Sequence, residues 1–310
     1  MTKKYDICVF GGCSIDMTYF QQKDNTYKKE ADLITPGGKG SNQAVAASRA
    51  GSKVVIISKV GDDYIGDIIL NNLKINNIST IGVEIVEGLK NDCSKIFIDN
   101  ISKDNRIERE ISTINNFSVD MIEKYKHILL NSKMVIAQMK IPKEVSMALI
   151  NFCYSNKIPI IITPCRPEKL KISEKENIEL LNKITYITAN KKECQTMFDT
   201  LDIESCVKQY PNKLIVTLGS NGVIYHNGKK IVKIDPINIQ PIVDTTGAGD
   251  TFTGNLSALL ANGKNLNKSI KIAQFASAIK ITKKSAQEGM PYYNELEQFI
   301  KEYKNKITTR

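Results

Sequence analysis

Short runs of β-branched and aliphatic residues recur along the chain. Between them lie longer stretches in which apolar positions return every three or four residues. Ile7–Phe10, Val54–Ile57, Met134–Ala137, Ile158–Ile162, Tyr186–Thr188 and Leu214–Leu218 are brief and largely apolar, which predicts strands buried on both faces. Asn42–Arg49, Ile65–Leu73, Thr251–Leu260, Leu266–Ile281 and Tyr292–Lys304 predict helices, with Gly51 and Gly263 standing behind the first and third as stop signals. Strand and helix alternating this often predict an α/β fold of three αβα layers: a central, mainly parallel sheet flanked by helices.

One stretch departs from that rhythm. Residues 93–112 alternate apolar and polar positions around Lys103-Asp104-Asn105, the pattern of a hairpin with one wet face. Residues 17–34, polar and strand-like, can supply its partner strands. Within an α/β chain this predicts a small β-strand lid, formed by about 17–35 and 93–113, on a single domain spanning 1–310.

Composition narrows the class. With 310 residues, 42% hydrophobic and 25% charged, the chain can bury a sizeable core and is not a disordered sequence. No apolar run approaches the ~20 residues of a membrane span, and Met1–Asp6 lacks the apolar segment of a secretory signal. A cytoplasmic protein with no membrane partner is expected. Lys+Arg 43 against Asp+Glu 33 gives +10. The lysines are spread out, in pairs at most, such as Lys191-Lys192 and Lys283-Lys284. That predicts solvated lysine and an anionic small substrate rather than a nucleic acid. Two histidines, His127 and His226, leave little room for a His-built zinc site or a Ser-His-Asp triad. Seven scattered cysteines with no C-x-x-C pair suit a reducing compartment. Cys8, in a predicted buried strand, acts there as a small apolar group.

The candidate chemistry lies in four loops. Pro36-Gly37-Gly38-Lys39-Gly40-Ser41-Asn42-Gln43-Ala44 lets the backbone approach a ligand closely. Ser41 or Asn42 is the predicted cap of the following helix, whose N-terminus favours an anion or a ring of hydroxyls. Lys39 adds a cation, and Asn42 offers both donor and acceptor. The string is neither a Walker A loop nor, at Gly11-Gly12-Cys13, a dinucleotide fingerprint. In Val243-Asp244-Thr245-Thr246-Gly247-Ala248-Gly249-Asp250-Thr251-Phe252 an acid follows a small-residue turn that opens a helix. The amides of Ala248, Gly249 and Asp250 are predicted to form an anion nest, and Asp250 can take a proton from a hydroxyl. That pairing suits phosphoryl transfer to an alcohol; alternatively Asp250 only complements the helix dipole. Asn190 and Glu193 lie one turn apart and can orient hydrated Mg²⁺ and phosphate oxygens, or equally form an N-cap pair. Thr217-Leu218-Gly219-Ser220-Asn221-Gly222 ends a strand in a turn beside which a nucleotide can lie.

Together these strings resemble the ribokinase-like (PfkB) carbohydrate kinases, from Val9 to Pro291. Gly37–Ala44 resembles the family's sugar-side signature, Asp244–Phe252 its second signature, Asn190 with Glu193 its magnesium–phosphate motif, and Thr217–Ser220 its nucleotide loop. The resemblance implies an ATP:sugar phosphotransferase, with O5 of ribose as acceptor and a lid that often builds a homodimer. It implies Asp250 as base and Gly247, Ala248 and Gly249 as anion hole. It implies Ser14, Asp16, Gly38, Lys39, Asn42 and Lys140 on the sugar. Asn190, Thr217, Gly219, Ser220, Gly222 and Gln274 fall on the nucleotide, and Glu193 on Mg²⁺ through water. An activating K⁺ is implied on Asp244, Thr246, Lys280, Lys283 and Ser285, mostly through carbonyls. There are departures. Lys140 stands where a sugar-binding Glu is usual, and Ser14 replaces Asn. Ser112-Thr113-Ile114-Asn115 replaces Gly-Ala-Asn at the end of the lid hairpin. Ser285 replaces Gly, and Gly289 falls where Ser is common. The acceptor pocket is thus altered while the transfer machinery is intact. A nucleoside, pseudouridine or 2-deoxyribose is the alternative acceptor, and a non-catalytic sugar- or nucleotide-binding relative the alternative class.

Overall fold

The computed structural model describes residues 3–22, 24, 26–99 and 105–308. Its strands are β1 (Tyr5–Phe10), β2 (Ser14–Phe20), β3 (Leu33–Gly37), β4 (Val54–Gly61), β5 (Ile78–Val86), β6 (Cys93–Ile98), β7 (Asn105–Glu110), β8 (Ser132–Gln138), β9 (Ile160–Thr163), β10 (Tyr186–Asn190), β11 (Leu214–Thr217), β12 (Val223–His226) and β13 (Ile231–Ile234). Nine of them form one sheet in the order β13-β12-β11-β10-β9-β8-β1-β4-β5. The pairs from β11 to β5 are parallel, and β12 and β13 add an antiparallel edge.

Alternate residues of β1 show why the sheet is covered twice. Ile7 and Val9 pack with Ala44, Phe252, Leu256 and Ile270 on one face. Cys8 and Phe10 pack with Met121, Leu129, Leu149 and Ile150 on the other. Helices Lys39–Arg49, Ala248–Ala261 and Leu266–Lys280 therefore share one side, and Lys143–Ser155 lies on the opposite side. This is the expected three-layer αβα arrangement. Burial raises the Cys8 thiol far above its ordinary range, so it remains a neutral packing group.

The second sheet runs β3-β2-β6-β7. β6 and β7 form the expected antiparallel hairpin, with Ile98 opposite Asn105. Residues 100–104, including most of the predicted Lys-Asp-Asn turn, lie outside the described residues. The partner strands are Ser14–Phe20 and Leu33–Gly37, so this sheet starts earlier than the polar pattern from residue 17 predicts. Among the described residues no helix is long and apolar enough to cross a membrane.

Candidate active site

β1 is where the chain reverses its direction of growth: β4 lies on one side of it and β8 on the other. A crevice opens beyond the carboxyl ends of strands at such a point. Here it is lined by Gly12, Cys13 and Ser14 after β1, by Gln138 and Lys140 at the end of β8, and by Gly38, Lys39, Asp92 and Ile114. The second sheet faces it. Its registers set Thr35, Asp16, Ser94 and Arg109 side by side across β3, β2, β6 and β7. Burial is the largest influence on Asp16 and raises its carboxyl above the usual range, while the Ser94 hydroxyl, Lys140 and Arg109 pull it back. Lys140, where the resemblance leads one to expect a carboxylate, thus sits within the field of Asp16. Asp92 accepts the Ser112 amide at 2.7 Å, which ties the altered 112–115 segment to the same crevice.

Asp250 stands at the first turn of helix Ala248–Ala261, and it is 5% exposed. Its Oδ2 accepts from Asn42 Nδ2 at 3.0 Å and its Oδ1 from Gln43 Nε2 at 2.9 Å. Lys39 Nζ lies 3.9 Å from Oδ1 on a side chain that is 41% exposed. Asp250 is the largest influence raising the Lys39 ammonium well above the usual lysine range, with burial opposing it. The two helices that supply these groups touch closely: a Cβ on Gly254 would stand 2.5 Å from the Ala46 methyl. Only glycine allows that approach, and the approach delivers Asn42 and Gln43 to the carboxylate.

Both amides are themselves oriented. Gln287 Nε2 donates to Asn42 Oδ1 at 2.9 Å, so the Asn42 amide nitrogen is turned to Asp250. Gln138 Nε2 donates to Gln43 Oε1 at 2.8 Å, which turns the Gln43 nitrogen the same way. Gln43 also donates to Thr163 Oγ1, which shares a hydrogen bond with Thr188. Each carboxylate oxygen keeps a second acceptor position beyond these donors. None of Gln43, Gln138, Gln287 and Arg109 is among the site residues expected from the sequence. Gln43 lies inside the first glycine-rich loop, Gln138 directly follows the predicted strand Met134–Ala137, and Arg109 falls on the face of Asp16 by strand alternation. Gln287 carries no local signal at all.

Two expectations about the loops are corrected. Helix Lys39–Arg49 is not capped by Ser41 or Asn42: Gly38 is its N-cap, at φ 90°, with no side-chain cap. Ser41 lies in the first turn and donates back to the carbonyls of Gly37 and Gly38. In the second loop, Gly247 is the cap at φ 78°. The Ala248 amide is spent on the Thr245 carbonyl at 3.2 Å, which leaves Gly249 and Asp250 as the amides that open the helix.

A cavity of about 830 Å³ lies on the other side of Gly249. Thr217, Gly219, Ser220 and Gly222 form one wall, Pro236–Gln240 with Ile242 another, and Gln274, Ser277 and Ile281 a third. Gln274 Nε2 donates to the Asp235 carbonyl at 2.9 Å, and its Oε1 is buried without a hydrogen-bond partner. An orphaned acceptor beside a cavity suits a ligand that brings an N–H.

Asn190 and Glu193 form a complete capping box: Asn190 Oδ1 accepts the Glu193 amide and Glu193 Oε2 accepts the Asn190 amide, each at 2.9 Å. The capping alternative is therefore realised in full, although Glu193 also acts on the charge of Lys39. Among the described residues no cluster of His, Cys, Asp and Glu could hold a metal. A hydrated Mg²⁺ carried by phosphate oxygens, with Glu193 in its outer shell, fits such a donor set. The implied K⁺ cradle does not fit. The Asp244 carbonyl accepts from Lys280 Nζ at 2.8 Å, and the Lys280 carbonyl accepts the Lys283 amide at 3.1 Å. Burial lowers the Lys280 ammonium below its usual range, and the charge of Asp244 opposes the shift. Ser285, where the resemblance leads one to expect glycine, adopts φ 57°.

Comparison with known proteins agrees with this geometry. The sequence pattern of the pfkB family carbohydrate kinases matches residues 4–292. The ribokinase of Bacillus subtilis is 35% identical over 95% of this chain and 99% of its own length. That of Lactococcus lactis is 36% identical over 97% and 98%. The crystal structure of ribokinase from Thermotoga maritima superposes with a TM-score of 0.81 at 26% identity, covering 96% of this chain and 99% of that one. The fold, the two loops at the reversal point and these likenesses lead to one assignment: the chain belongs to the pfkB family of carbohydrate kinases.

Proposed function

We propose that this protein is an ATP-dependent ribose kinase, which transfers the γ-phosphoryl group of ATP to O5 of ribose. The observation that carries the proposal is the placement of Asp250. Its neighbour Gly249 lines the large cavity, and Lys39, 3.9 Å from its carboxylate, lines the crevice. A base between two pockets is what transfer from one bound molecule to another requires.

In the proposed reaction, Asp16 and Lys140 hold the sugar hydroxyls from the second sheet and the end of β8, with Ser14, Gly38 and Asn42 beside them. Asp250 accepts the proton of the attacking hydroxyl as the new oxygen–phosphorus bond forms and the bond to the bridging oxygen of ADP breaks. The amides of Gly249 and Asp250 and the Lys39 ammonium face the charge that develops on the phosphoryl oxygens. Gln274 Oε1 suits the exocyclic amine of adenine, and Thr217, Gly219, Ser220 and Gly222 border the nucleotide. Mg²⁺, when bound to the phosphates beside Asn190 and Glu193, neutralises part of their charge. The 35–36% identity to ribokinases supports ribose as acceptor. The cysteines, all free and mostly buried, support a cytoplasmic setting.

ADP release, followed with ribose, 2-deoxyribose, uridine and pseudouridine at equal concentration, tests the acceptor. Ribose is expected to give the highest kcat/KM. Turnover with a nucleoside and none with ribose overturns the assignment.

The second sheet also supports a homodimer, with the sheet acting as a lid. The face that carries Asp16 continues through Leu33, Thr18, Ile96 and Ile107, and Leu33, Ile107 and Phe20 on it are exposed. Light scattering is expected to give twice the chain mass, and Ile107→Lys to give the single-chain mass. A wild-type chain that stays monomeric at micromolar concentration removes this part of the proposal.

A further inference from the structure

Lys280 closes helix Leu266–Lys280 and is 0% exposed. Lysine is almost never buried this completely without oxygen partners. Its Nζ donates to the main-chain carbonyl of Asp244 at 2.8 Å, and the negative charge acting on it is that of Asp244. One turn earlier on the same helix face, the Ser277 hydroxyl donates to the Ala248 carbonyl at 2.9 Å. Two donors from one helix thus grip the turn Asp244–Ala248 at both ends. The turn is otherwise held by the Thr246 amide on Asp244 Oδ1 at 2.8 Å and the Ala248 amide on the Thr245 carbonyl at 3.2 Å. It carries the cap, Gly247, from which the helix bearing Gly249 and Asp250 begins.

The family resemblance sets a potassium ion on this same group of carbonyls, and in this chain two of them, those of Asp244 and Lys280, already accept hydrogen bonds. Besides the Asp244 carbonyl, that of Lys280 faces Gly289 so closely that a Cβ there would stand 2.6 Å from it. Potassium and an alkylammonium make the same demand on a protein: carbonyl oxygens gathered round one positive charge. Two such charges repel strongly in a site with little water. We propose that Lys280 is a built-in monovalent cation: its amine holds the anion-hole turn where an exchangeable ion would sit, and the protein works without added potassium. Lys280 acts through the turn and touches neither substrate, so it is a positioning residue.

Cation binding is read first, without substrate, and so independently of the kinase reading. Equilibrium dialysis of the full chain against ⁸⁶Rb⁺ in tetramethylammonium buffer is expected to show no stoichiometric binding, and replacing tetramethylammonium by potassium is expected to leave Tm unchanged. Lys280→Ala, or Lys280→Ser should the first not fold, is expected to retain one equivalent of Rb⁺ and to melt higher in potassium. One equivalent bound by the wild-type chain overturns the inference, as does a folded variant that gains no binding. In ADP release with ribose, wild-type kcat is expected to differ less than about twofold between the two salts. Lys280→Ala is expected to lose about 10²-fold in tetramethylammonium, chiefly in kcat, and to recover in potassium. Activation of the wild type by tenfold or more also overturns it. Absence of turnover in every salt instead removes the ribose kinase assignment and leaves the dialysis result standing.

Discussion

Asp250→Asn is expected to lower kcat for ADP release with ribose by about 10²–10⁴-fold, the range for removing a positioned general base. The amide keeps the size of the carboxylate and one carbonyl oxygen, so one of the bonds from Asn42 and Gln43 can persist. The helix contact at Gly254 is untouched, and the variant is expected to fold. Its KM for ATP is expected to stay within a few-fold of wild type, because the cavity wall is made by other residues. Loss confined to kcat marks an interaction made only in the transition state. A variant that retains more than a tenth of wild-type turnover removes Asp250 from the role of base.

Asp16→Asn is expected to act on the acceptor alone, lowering kcat/KM for ribose by about 10²-fold through the loss of charge-assisted hydrogen bonds to hydroxyls. The same substitution has an opposite effect on stability. Burial raises the Asp16 carboxyl above its ordinary range, so the folded chain holds this proton to a higher pH than the unfolded chain does. Between the two pKa values the folded state carries more protons, and stability falls as pH rises. Above the folded value the full cost stands. Asp16→Asn is therefore expected to melt higher than wild type at neutral pH, with the gap closing in acid. Thermal melts across pH 3–8 on the two proteins check this, and a lower Tm for the variant at neutral pH refutes it. A carboxylate that weakens the fold in exchange for substrate contact is a common feature of binding sites.

Much of this was readable from the chain alone, because it depends on near neighbours. β1, β4, β8 and β11 are announced by short, largely apolar runs, and the β6–β7 hairpin by the alternation of apolar and polar positions around a polar turn. The glycine-rich loops announce themselves by composition. What escaped depends on partners far away in sequence. The amides that hold Asp250 come from a helix 208 and 207 residues earlier, and nothing around Asn42 tells that its side chain serves a distant carboxylate rather than its own helix end. Gln287 reads as an ordinary polar residue after the last buried helix, yet it sets the orientation of Asn42. Lys280 looks like one more solvated lysine until helix packing puts its whole side chain out of reach of water. Asn190 and Glu193 show the converse, where a local pattern supports two readings and the local one is satisfied in full.

The central position of β1 has a consequence for how the chain comes off the ribosome. One of its neighbours, β4, follows soon after it, whereas the other, β8, begins at Ser132. At ordinary synthesis rates the strand Tyr5–Phe10 waits on the order of ten seconds with one edge unpaired. During that interval a row of apolar side chains and open backbone groups is offered to any passing strand. The nascent protein thus has a defined period of exposure to chaperones and to aggregation, which ends only when β8 emerges and closes the gap.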